Sequence, residues 1–225
     1  MKEQGIIRSQ KEIYSKNFID NPQGPDATFN QTKSHQDLRY SSLFHWVNFP
    51  IKKLSVFDVG CGIGELNDWL RPRVEHLNYC GNDIVPEMVN VARERNPNCE
   101  IRSDDLLSDP ELPVADIYCL SGVFNFHGGT KTDEWSEYCR SMVCKMFKHA
   151  KVGVCFNGLS TSADYFDREM FYSSPTEWLN FLSEECTRFV GLKADYALFE
   201  YSIYALKPEW VRSCSLPELK RYVKI

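Results

Sequence analysis

From residue 54 onward, short apolar runs alternate with stretches in which apolar residues recur every three or four positions. Runs of about four to eight apolar residues are typical of buried strands, and the longer spacing is typical of helices with one buried face. The sequence therefore predicts a mostly parallel sheet that is covered by helices on both faces. We predict strands at 54–59, 77–83, 99–103, 115–122, 151–157, 187–194 and 197–206.

Proline and capping residues indicate where two of the helices begin. Pro86 and Pro175 suit the first position of a helix, where the amide that proline lacks would have no intrahelical partner. Ser174, with Glu177 three residues later, forms a capping box at the start of the second of these helices. The stretch 132–148 carries the most regular amphipathic pattern of the chain.

The last two apolar runs are separated by too few residues for a parallel crossover, so they must pair antiparallel. The predicted fold class is α/β, a doubly wound and mostly parallel sheet of seven strands that ends in an antiparallel C-terminal hairpin. In such sheets ligands bind at the carboxyl ends of the strands, beside the first strand.

An N-terminal segment precedes this alternating pattern. Residues 20–34 are rich in Pro, Gly, Asn and Asp and form the clearest loop of the sequence. Helices are predicted on either side of it, near 8–18 and 35–48. We therefore expect residues 1–50 to form a helical cap or lid and residues 51–225 to form the main domain.

The composition argues against several kinds of partner. Lys and Arg number 26 against 31 Asp and Glu, a net charge of −5, whereas nucleic-acid-binding proteins carry basic stripes that neutralise phosphates. No apolar stretch reaches the roughly 18 residues of a membrane span, and the start MKEQGIIRSQKE lacks the apolar region of a secretory signal. We expect a cytoplasmic protein that binds neither nucleic acid nor membrane. The nine cysteines include no Cys-x-x-Cys pair, so we expect neither disulfides nor a metal site.

Residues 56–70, VFDVGCGIGELNDWL, place three glycines at alternate positions between a predicted strand and a helical stretch. A nucleoside-triphosphate loop would need Gly-Lys-Ser/Thr after the glycines, and the sequence lacks it. The dinucleotide pattern GxGxxG would place its third glycine at position 65, whereas here it comes one residue earlier, at Gly64. In addition, the carboxylates of Asp58 and Glu65 would repel a pyrophosphate at the start of the helix. The acids favour a ligand with positive charge.

Asp83 ends the second predicted strand, 19 residues beyond Gly64. An acid at this position of a doubly wound sheet accepts hydrogen bonds from the ribose hydroxyls of a nucleoside. A nucleoside without bridging phosphates and with a cationic tail satisfies both observations. S-adenosylmethionine has these parts: a ribose, an ammonium, a carboxylate and a sulfonium.

The segments DVGCGIG, YCGNDIVPEMVNVAR, SDDLL and ADIYCLSGVF, followed by the terminal hairpin, resemble those of class I S-adenosylmethionine-dependent methyltransferases. The N-terminal segment 25–46 is similar to the lid of bacterial members that act on small molecules. The resemblance implies a Rossmann-like fold with the hairpin beside the fifth strand. It also implies S-adenosylmethionine as methyl donor, S-adenosylhomocysteine as product and a small-molecule acceptor.

The resemblance implies roles for individual residues. Asp83 would hold the ribose hydroxyls, and Ile84 and Leu106 would cover the two faces of the adenine. Asp105, or alternatively Asp104, would meet the adenine amine, and Arg39 would pair with the methionyl carboxylate. The remaining assignments concern the loops after the first and fourth strands: Asp58, Gly60, Cys61, Gly62 and Gly64 around the methionyl part, and Ser121 and Gly122 beside the sulfonium.

Residues after the fourth strand are candidates for chemistry on the acceptor. His127 is the first choice for a general base or an orienting group, with an exposed loop histidine as the alternative. Asn125 would hydrogen-bond the acceptor or, alternatively, cap the local turn. A later group of aromatic residues would either wall the acceptor site or belong to the core: Tyr165, Phe166, Phe171 and Tyr172.

Residues 121–126 lack the Pro-Pro motif that enzymes methylating nucleic-acid bases carry after the fourth strand. We therefore predict methyl transfer to an oxygen, nitrogen or carbon of a small molecule, in a biosynthetic or secondary-metabolite pathway. A nicotinamide-dependent oxidoreductase and a non-catalytic S-adenosylmethionine-binding module are the alternatives. The sequence leaves the acceptor and the oligomeric state open.

Overall fold

The structure, a computed structural model, describes residues 2–21 and 32–225, so most of the predicted 20–34 loop lies outside the described residues. Within them the helices are α1 (Lys2–Asp20), α2 (Lys33–Leu43), α3 (Glu65–Leu70), α4 (Pro86–Arg95), α5 (Thr132–His149), α6 (Pro175–Glu185) and α7 (Pro208–Cys214). The strands are β1 (Ile51–Val59), β2 (Val74–Asn82), β3 (Glu100–Arg102), β4 (Ala115–Leu120), β5 (Ala150–Ser160), β6 (Tyr172–Ser173), β7 (Val190–Lys193) and β8 (Glu200–Leu206). Short 3₁₀ helices cover Arg71–Arg73, Val123–Asn125 and Pro217–Tyr222.

The strands form one sheet in the order β3-β2-β1-β4-β5-β8-β7. β1 to β5 run parallel, β8 pairs antiparallel with β5, and β7 pairs antiparallel with β8. The predicted Rossmann-like α/β fold is confirmed, including the hairpin beside the fifth strand. The sequence did not predict β6, which has only two residues and pairs with the end of β5.

The switch point of the sheet lies at β1. From β1 the chain first adds β2 and β3 on one side and later adds β4 and β5 on the other. The loops that leave β1 and β4 therefore diverge and leave a crevice between them, at the carboxyl ends of the strands. The fold thus provides a ligand-binding cleft next to the glycine loop.

The core has one hydrophobic cluster on each face of the sheet. Val56 and Phe57, neighbours on β1, are fully buried and belong to different clusters, as the period of two along a strand requires. On one face Phe57 packs with residues of α5 and α6, among them Trp135 and Leu182. The opposite cluster includes residues of α2, α3 and α4, so α2 is part of the packed core.

The predicted helix starts agree with the structure. α4 begins at Pro86 and α6 at Pro175, and the Ser174 hydroxyl accepts a hydrogen bond from the Glu177 amide at 3.4 Å. The helix predicted near 35–48 is shorter than expected, because α2 ends at Leu43 and the following residues turn toward β1.

The N-terminal helix α1 packs across the loops at the carboxyl edge of the sheet. The Gln10 side chain donates to the Phe126 carbonyl at 2.8 Å. Phe18, near the end of α1, is buried against Ile63 and Met88. α1 therefore covers part of the crevice beside β1.

Among the described residues there is no helix that combines the length and the apolar character needed to cross a membrane. The same residues contain no group of three or more His, Cys, Asp or Glu side chains arranged to hold a metal ion.

Candidate functional site

A cavity of about 390 Å³ lies at the carboxyl ends of the strands, within the roughly 300–1,000 Å³ of ligand pockets. Loops after β1, β2, β3 and β4 contribute to its wall, together with α1, α2 and the segment around residues 159–172. The cavity therefore joins the predicted cofactor motifs to the predicted acceptor region in one space.

The glycine loop reaches the cavity through Gly60 and Gly62. Gly60 has a φ of 67°, a left-handed conformation that favours glycine, and a Cβ there would lie 2.3 Å from Val123 Cγ2. Only glycine fits at this position, because the loops after β1 and β4 approach each other closely here. Gly64 is the N-cap residue of α3, and neither Gly64 nor the buried Cys61 lines the cavity.

The two acids that were predicted to flank the ligand are absent from the described cavity wall. Asp58 is 3% exposed, and its carboxylate accepts a hydrogen bond from the Tyr79 hydroxyl at 2.6 Å and contacts the Cys119 thiol. Burial raises the pKa of Asp58 to about 7, although the Tyr79 hydrogen bond opposes this. Glu65 accepts a hydrogen bond from the Gln36 side chain. The protein itself therefore supplies partners for both acids, which were expected to favour a ligand with positive charge.

Asp83 lines the cavity at the end of β2. Its carboxylate accepts hydrogen bonds from the backbone amides of Gly62 and Val85, each at 2.9 Å. Burial raises the pKa of Asp83, and the backbone amides counteract this rise by stabilising the charged form. The carboxylate ties the glycine loop to the start of α4 and presents negative charge beside Ile84, which also lines the cavity.

Asp104 and Asp105 both line the cavity after β3, so the structure keeps both candidates for the adenine amine. Asp105 accepts hydrogen bonds from the Tyr138 hydroxyl and from the Ser108 amide, each at 2.9 Å. Asp104 accepts one from the Asn82 side chain at 3.0 Å, and burial raises its pKa. Leu106, which follows them, lines the cavity and is otherwise buried.

Arg39 lines the cavity from α2 and forms an ion pair that sequence reasoning missed. Its guanidinium contacts both carboxylate oxygens of Glu200, with Nε at 3.1 and 3.0 Å. Although burial alone would lower the pKa of Arg39, the Glu200 charge raises it above its ordinary value. The Asn157 amide donates to Glu200 at 2.7 Å and accepts from the Gly122 amide at 2.8 Å. A buried network thus connects α2 to the loop after β4.

Glu200 had a signal in the sequence, as the one acid within the apolar run ALFEYSIYAL. A charged side chain inside a buried strand needs a partner. The cavity residues Gln10 and Tyr14 of α1 had no comparable signal.

Of the two acceptor-site candidates in the loop after β4, Asn125 lines the cavity and His127 does not. Ser121, Gly122 and Asn125 line the cavity. Asn125 is 8% exposed, and its Oδ1 is buried and has no hydrogen-bond partner in the described part of the chain. His127 is not among the residues that line the cavity, because its ring nitrogens face the carbonyls of Thr130 (3.1 Å) and Arg168 (3.4 Å). The structure therefore places His127, the predicted base, outside the described cavity wall.

Aromatic side chains line the outer part of the cavity. Two of the four predicted candidates, Tyr165 and Tyr172, are among them. Phe166 instead packs on Tyr172, with ring centroids 4.7 Å apart, and Phe171 is buried in the core. Tyr14, Phe126 and Phe199 also line the cavity.

Comparison with known proteins agrees with this geometry. Residues 56–144 match the family model described as a methyltransferase domain. A protein of Mycobacterium tuberculosis that is provisionally named a methyltransferase is 28% identical over 155 residues, which cover 68% of this chain and 93% of that protein.

Two solved structures are similar in fold. Magnesium protoporphyrin IX methyltransferase of Synechocystis PCC 6803, with bound S-adenosylhomocysteine, has a TM-score of 0.61 at 16% identity, covering 88% of this chain and 99% of that one. The N-methyltransferase NodS of Bradyrhizobium japonicum WM9, also with S-adenosylhomocysteine, has a TM-score of 0.61 at 12% identity, covering 89% and 99%. The match to the methyltransferase domain covers the glycine loop and Asp83, and the fold is that of S-adenosylmethionine-dependent methyltransferases.

Proposed function

We propose that this cavity binds S-adenosylmethionine and that the chain transfers its methyl group to a small molecule bound in the outer part of the same space. The observation that carries the proposal is the continuity of the cavity. Its wall includes Asp83 and Asp105 at one end of the sheet edge and Tyr165 and Phe199 beyond β5. A donor and an acceptor in one enclosed space can be aligned for direct transfer.

The residues of the inner part suit the donor in shape and charge. Asp83 offers a carboxylate to the ribose, and Asp104 and Asp105 offer acceptors to the adenine amine. Ile84 and Leu106 supply apolar surface for the adenine faces. We propose for these residues the same roles that the resemblance to class I methyltransferases implied.

The methionyl end is assigned differently from the sequence-based expectation. Gly60, Gly62 and the loop Ser121–Gly122 line this part with backbone, and Arg39 brings a guanidinium that can meet a carboxylate. We infer that Asp58, Cys61 and Gly64 act indirectly, by shaping the loop, because none of them lines the cavity.

The chemistry needs alignment and exclusion of water more than a dedicated base. When bound, S-adenosylmethionine supplies an activated methyl group on a sulfonium. The chain holds the two reactants in line, and α1 covers the site through Gln10 and Tyr14. Excluding water strengthens the electrostatic interactions inside the site. We further propose that residues 1–50 act as a cap on the domain formed by residues 51–225.

Calorimetric titration of the full chain tests the proposal. We expect S-adenosylmethionine and S-adenosylhomocysteine to bind, and a reduced nicotinamide cofactor not to bind. The variant Asp83→Asn should weaken S-adenosylhomocysteine binding about tenfold or more, since hydrogen bonds to a charged group contribute about 1.5–3 kcal/mol. Asp133→Asn, an exposed acid in the first turn of α5, is the matched control and should bind like the wild type.

Lack of binding of either adenosyl ligand would contradict the proposal. Binding without transfer of a labelled methyl group to any acceptor in a broad panel would favour the non-catalytic alternative instead.

A further inference from the structure

We propose that the methyl acceptor is an amine on an apolar or aromatic body, and that the outer part of the cavity recognises its nitrogen. This inference rests on the proposed function and narrows its acceptor from oxygen, nitrogen or carbon to nitrogen. Three features of the described residues carry it: the charge of the outer wall, its aromatic surface and a buried amide oxygen without a partner.

The charge of the cavity wall disfavours an anionic acceptor. Its described residues include the acid Asp167 in the outer part, and their sole Lys or Arg is Arg39 at the methionyl end. The Arg39 charge is matched by Glu200. Arg168 is adjacent to Asp167 in the chain but is not among the lining residues. A carboxylate or phosphate would therefore meet negative charge, whereas a cation would be attracted.

The aromatic surface suits a cationic nitrogen. Tyr165 and Phe199 line the cavity while being 65% and 48% exposed, which places large rings at its mouth. Tyr14 and Phe126 meet edge to face, with centroids 6.0 Å apart, and Tyr172 also lines the wall. Ring faces attract ammonium groups, and exposed apolar surface at a cleft is typical of ligand sites.

Asn125 adds a hydrogen-bond acceptor at the inner end of this wall. Its Oδ1 is buried without a partner among the described residues, and the side chain lines the cavity near Gly122. A buried amide oxygen needs a donor. An amine supplies N–H donors, whereas an ionised carboxylate has none.

The charge movement of the reaction agrees with this environment. The amine binds as the ammonium ion and loses one proton to water before the transfer. The nitrogen lone pair forms the new N–C bond while the S–C bond breaks, and the electron pair of that bond stays on sulfur. Positive charge thus moves from sulfur to nitrogen, and the ammonium product later releases a proton to water. Asp167 and the ring faces stabilise charge where it develops.

Calorimetry on the full chain saturated with S-adenosylhomocysteine tests the inference with three probes: benzylamine, benzyltrimethylammonium and phenylacetate. We expect both cations to bind about tenfold more tightly than phenylacetate, within the range of cation–π interactions. Equal or tighter binding of phenylacetate would overturn the inference. Failure of S-adenosylhomocysteine to bind would instead overturn the proposed function, so the two failures are distinguishable.

Variants test two of the three features, the charge of the wall and the buried amide oxygen. Asp167→Asn should reduce the preference for the cations about threefold or more, and Asp164→Asn, an exposed acid of the same loop that is not part of the described wall, should not. Asn125→Leu should weaken benzylamine but leave benzyltrimethylammonium unchanged, because the latter has no N–H. Retained binding of the quaternary probe shows that this variant is folded. Equal loss of both cations in Asn125→Leu, or no change in Asp167→Asn, would contradict the inference.

Discussion

At the residue scale, Asp58 shows how burial changes the chemistry of a motif. Its position before the glycine loop suggested a charged group that faces a ligand. In the structure it lies under the loop, between the Tyr79 hydroxyl and the Cys119 thiol, and its pKa is raised from 3.8 to about 7. A carboxyl group in this environment holds the end of β1 in place, and burial favours its protonated form more than water does.

The raised pKa predicts a pH-dependent difference in stability between Asp58→Asn and the wild type without ligand. Between about pH 4 and 7 the unfolded wild type loses the Asp58 proton while the folded wild type keeps it, so the Asp58 contribution to stability falls as pH rises. The unfolding free energy of the variant relative to wild type should therefore rise with pH, by at most about 1.4 kcal/mol per unit, and level off above pH 7. Urea unfolding at several pH values measures this difference.

Tyr79→Phe is the companion variant for this experiment. It removes the hydrogen bond that lowers the pKa of Asp58, so the pH range over which stability changes should extend upward. A difference between Asp58→Asn and wild type that does not vary from pH 4 to 7 would show that Asp58 is ionised in the folded protein.

At the scale of elements, the Arg39–Glu200 pair joins the N-terminal segment to the C-terminal hairpin. Arg39 belongs to α2 and Glu200 begins β8, and their side chains are 11% and 4% exposed. Asn157 of β5 completes the connection to the Gly122 turn. The N-terminal segment and the C-terminal hairpin therefore meet at the cavity wall, and the geometry of the loop after β4 depends on both.

Removing one partner of this pair should be strongly destabilising. Glu200→Gln takes the balancing charge from a buried guanidinium and should lower the unfolding free energy by about 3 kcal/mol. The double variant Arg39→Met/Glu200→Gln should recover part of this loss, because neither charge then remains. Arg95→Met, which removes an exposed pair with Asp68, is the control and should cost less than about 1 kcal/mol. Additive losses in the double variant would contradict the coupling.

At the scale of the molecule, α1 and the methyltransferase fold share one ligand cavity. Gln10 and Tyr14 line it from α1, on the side opposite the strand ends. A ligand that fills the cavity contacts both parts and should hold α1 against the loops. Binding to the folded state alone also stabilises the whole chain, by about 2.7 kcal/mol at a hundredfold excess over Kd.

Hydrogen exchange detects this coupling. Saturating S-adenosylhomocysteine should slow exchange of the α1 amides about tenfold, because local opening of α1 must then break contacts with the ligand. The amides of α7, none of whose side chains lines the cavity or is buried, serve as the control and should exchange at unchanged rates. Unchanged exchange in α1 with ligand bound would show that the helix does not close the site.

Much of the fold was predictable from local patterns. The short apolar run at 54–59 and the three-to-four spacing in 132–148 depend on neighbours in the chain, so the sequence alone predicted β1 and α5. The order of elements then restricts the sheet to few topologies. The glycine loop and Asp83 were predicted for the same reason, since a turn conformation and a strand end are local properties.

The remaining features depend on which distant side chains share a buried space. Arg39 and Glu200 are 161 positions apart, and no local pattern specifies their pairing. Tertiary packing places the Tyr79 hydroxyl beside Asp58 and the Thr130 carbonyl beside His127. Both side chains therefore have partners within the protein. Local spacing thus determined the class of fold and the positions of the glycine loop and Asp83. Tertiary packing decided which side chains face the cavity, because a buried polar group binds whichever partner the fold places beside it.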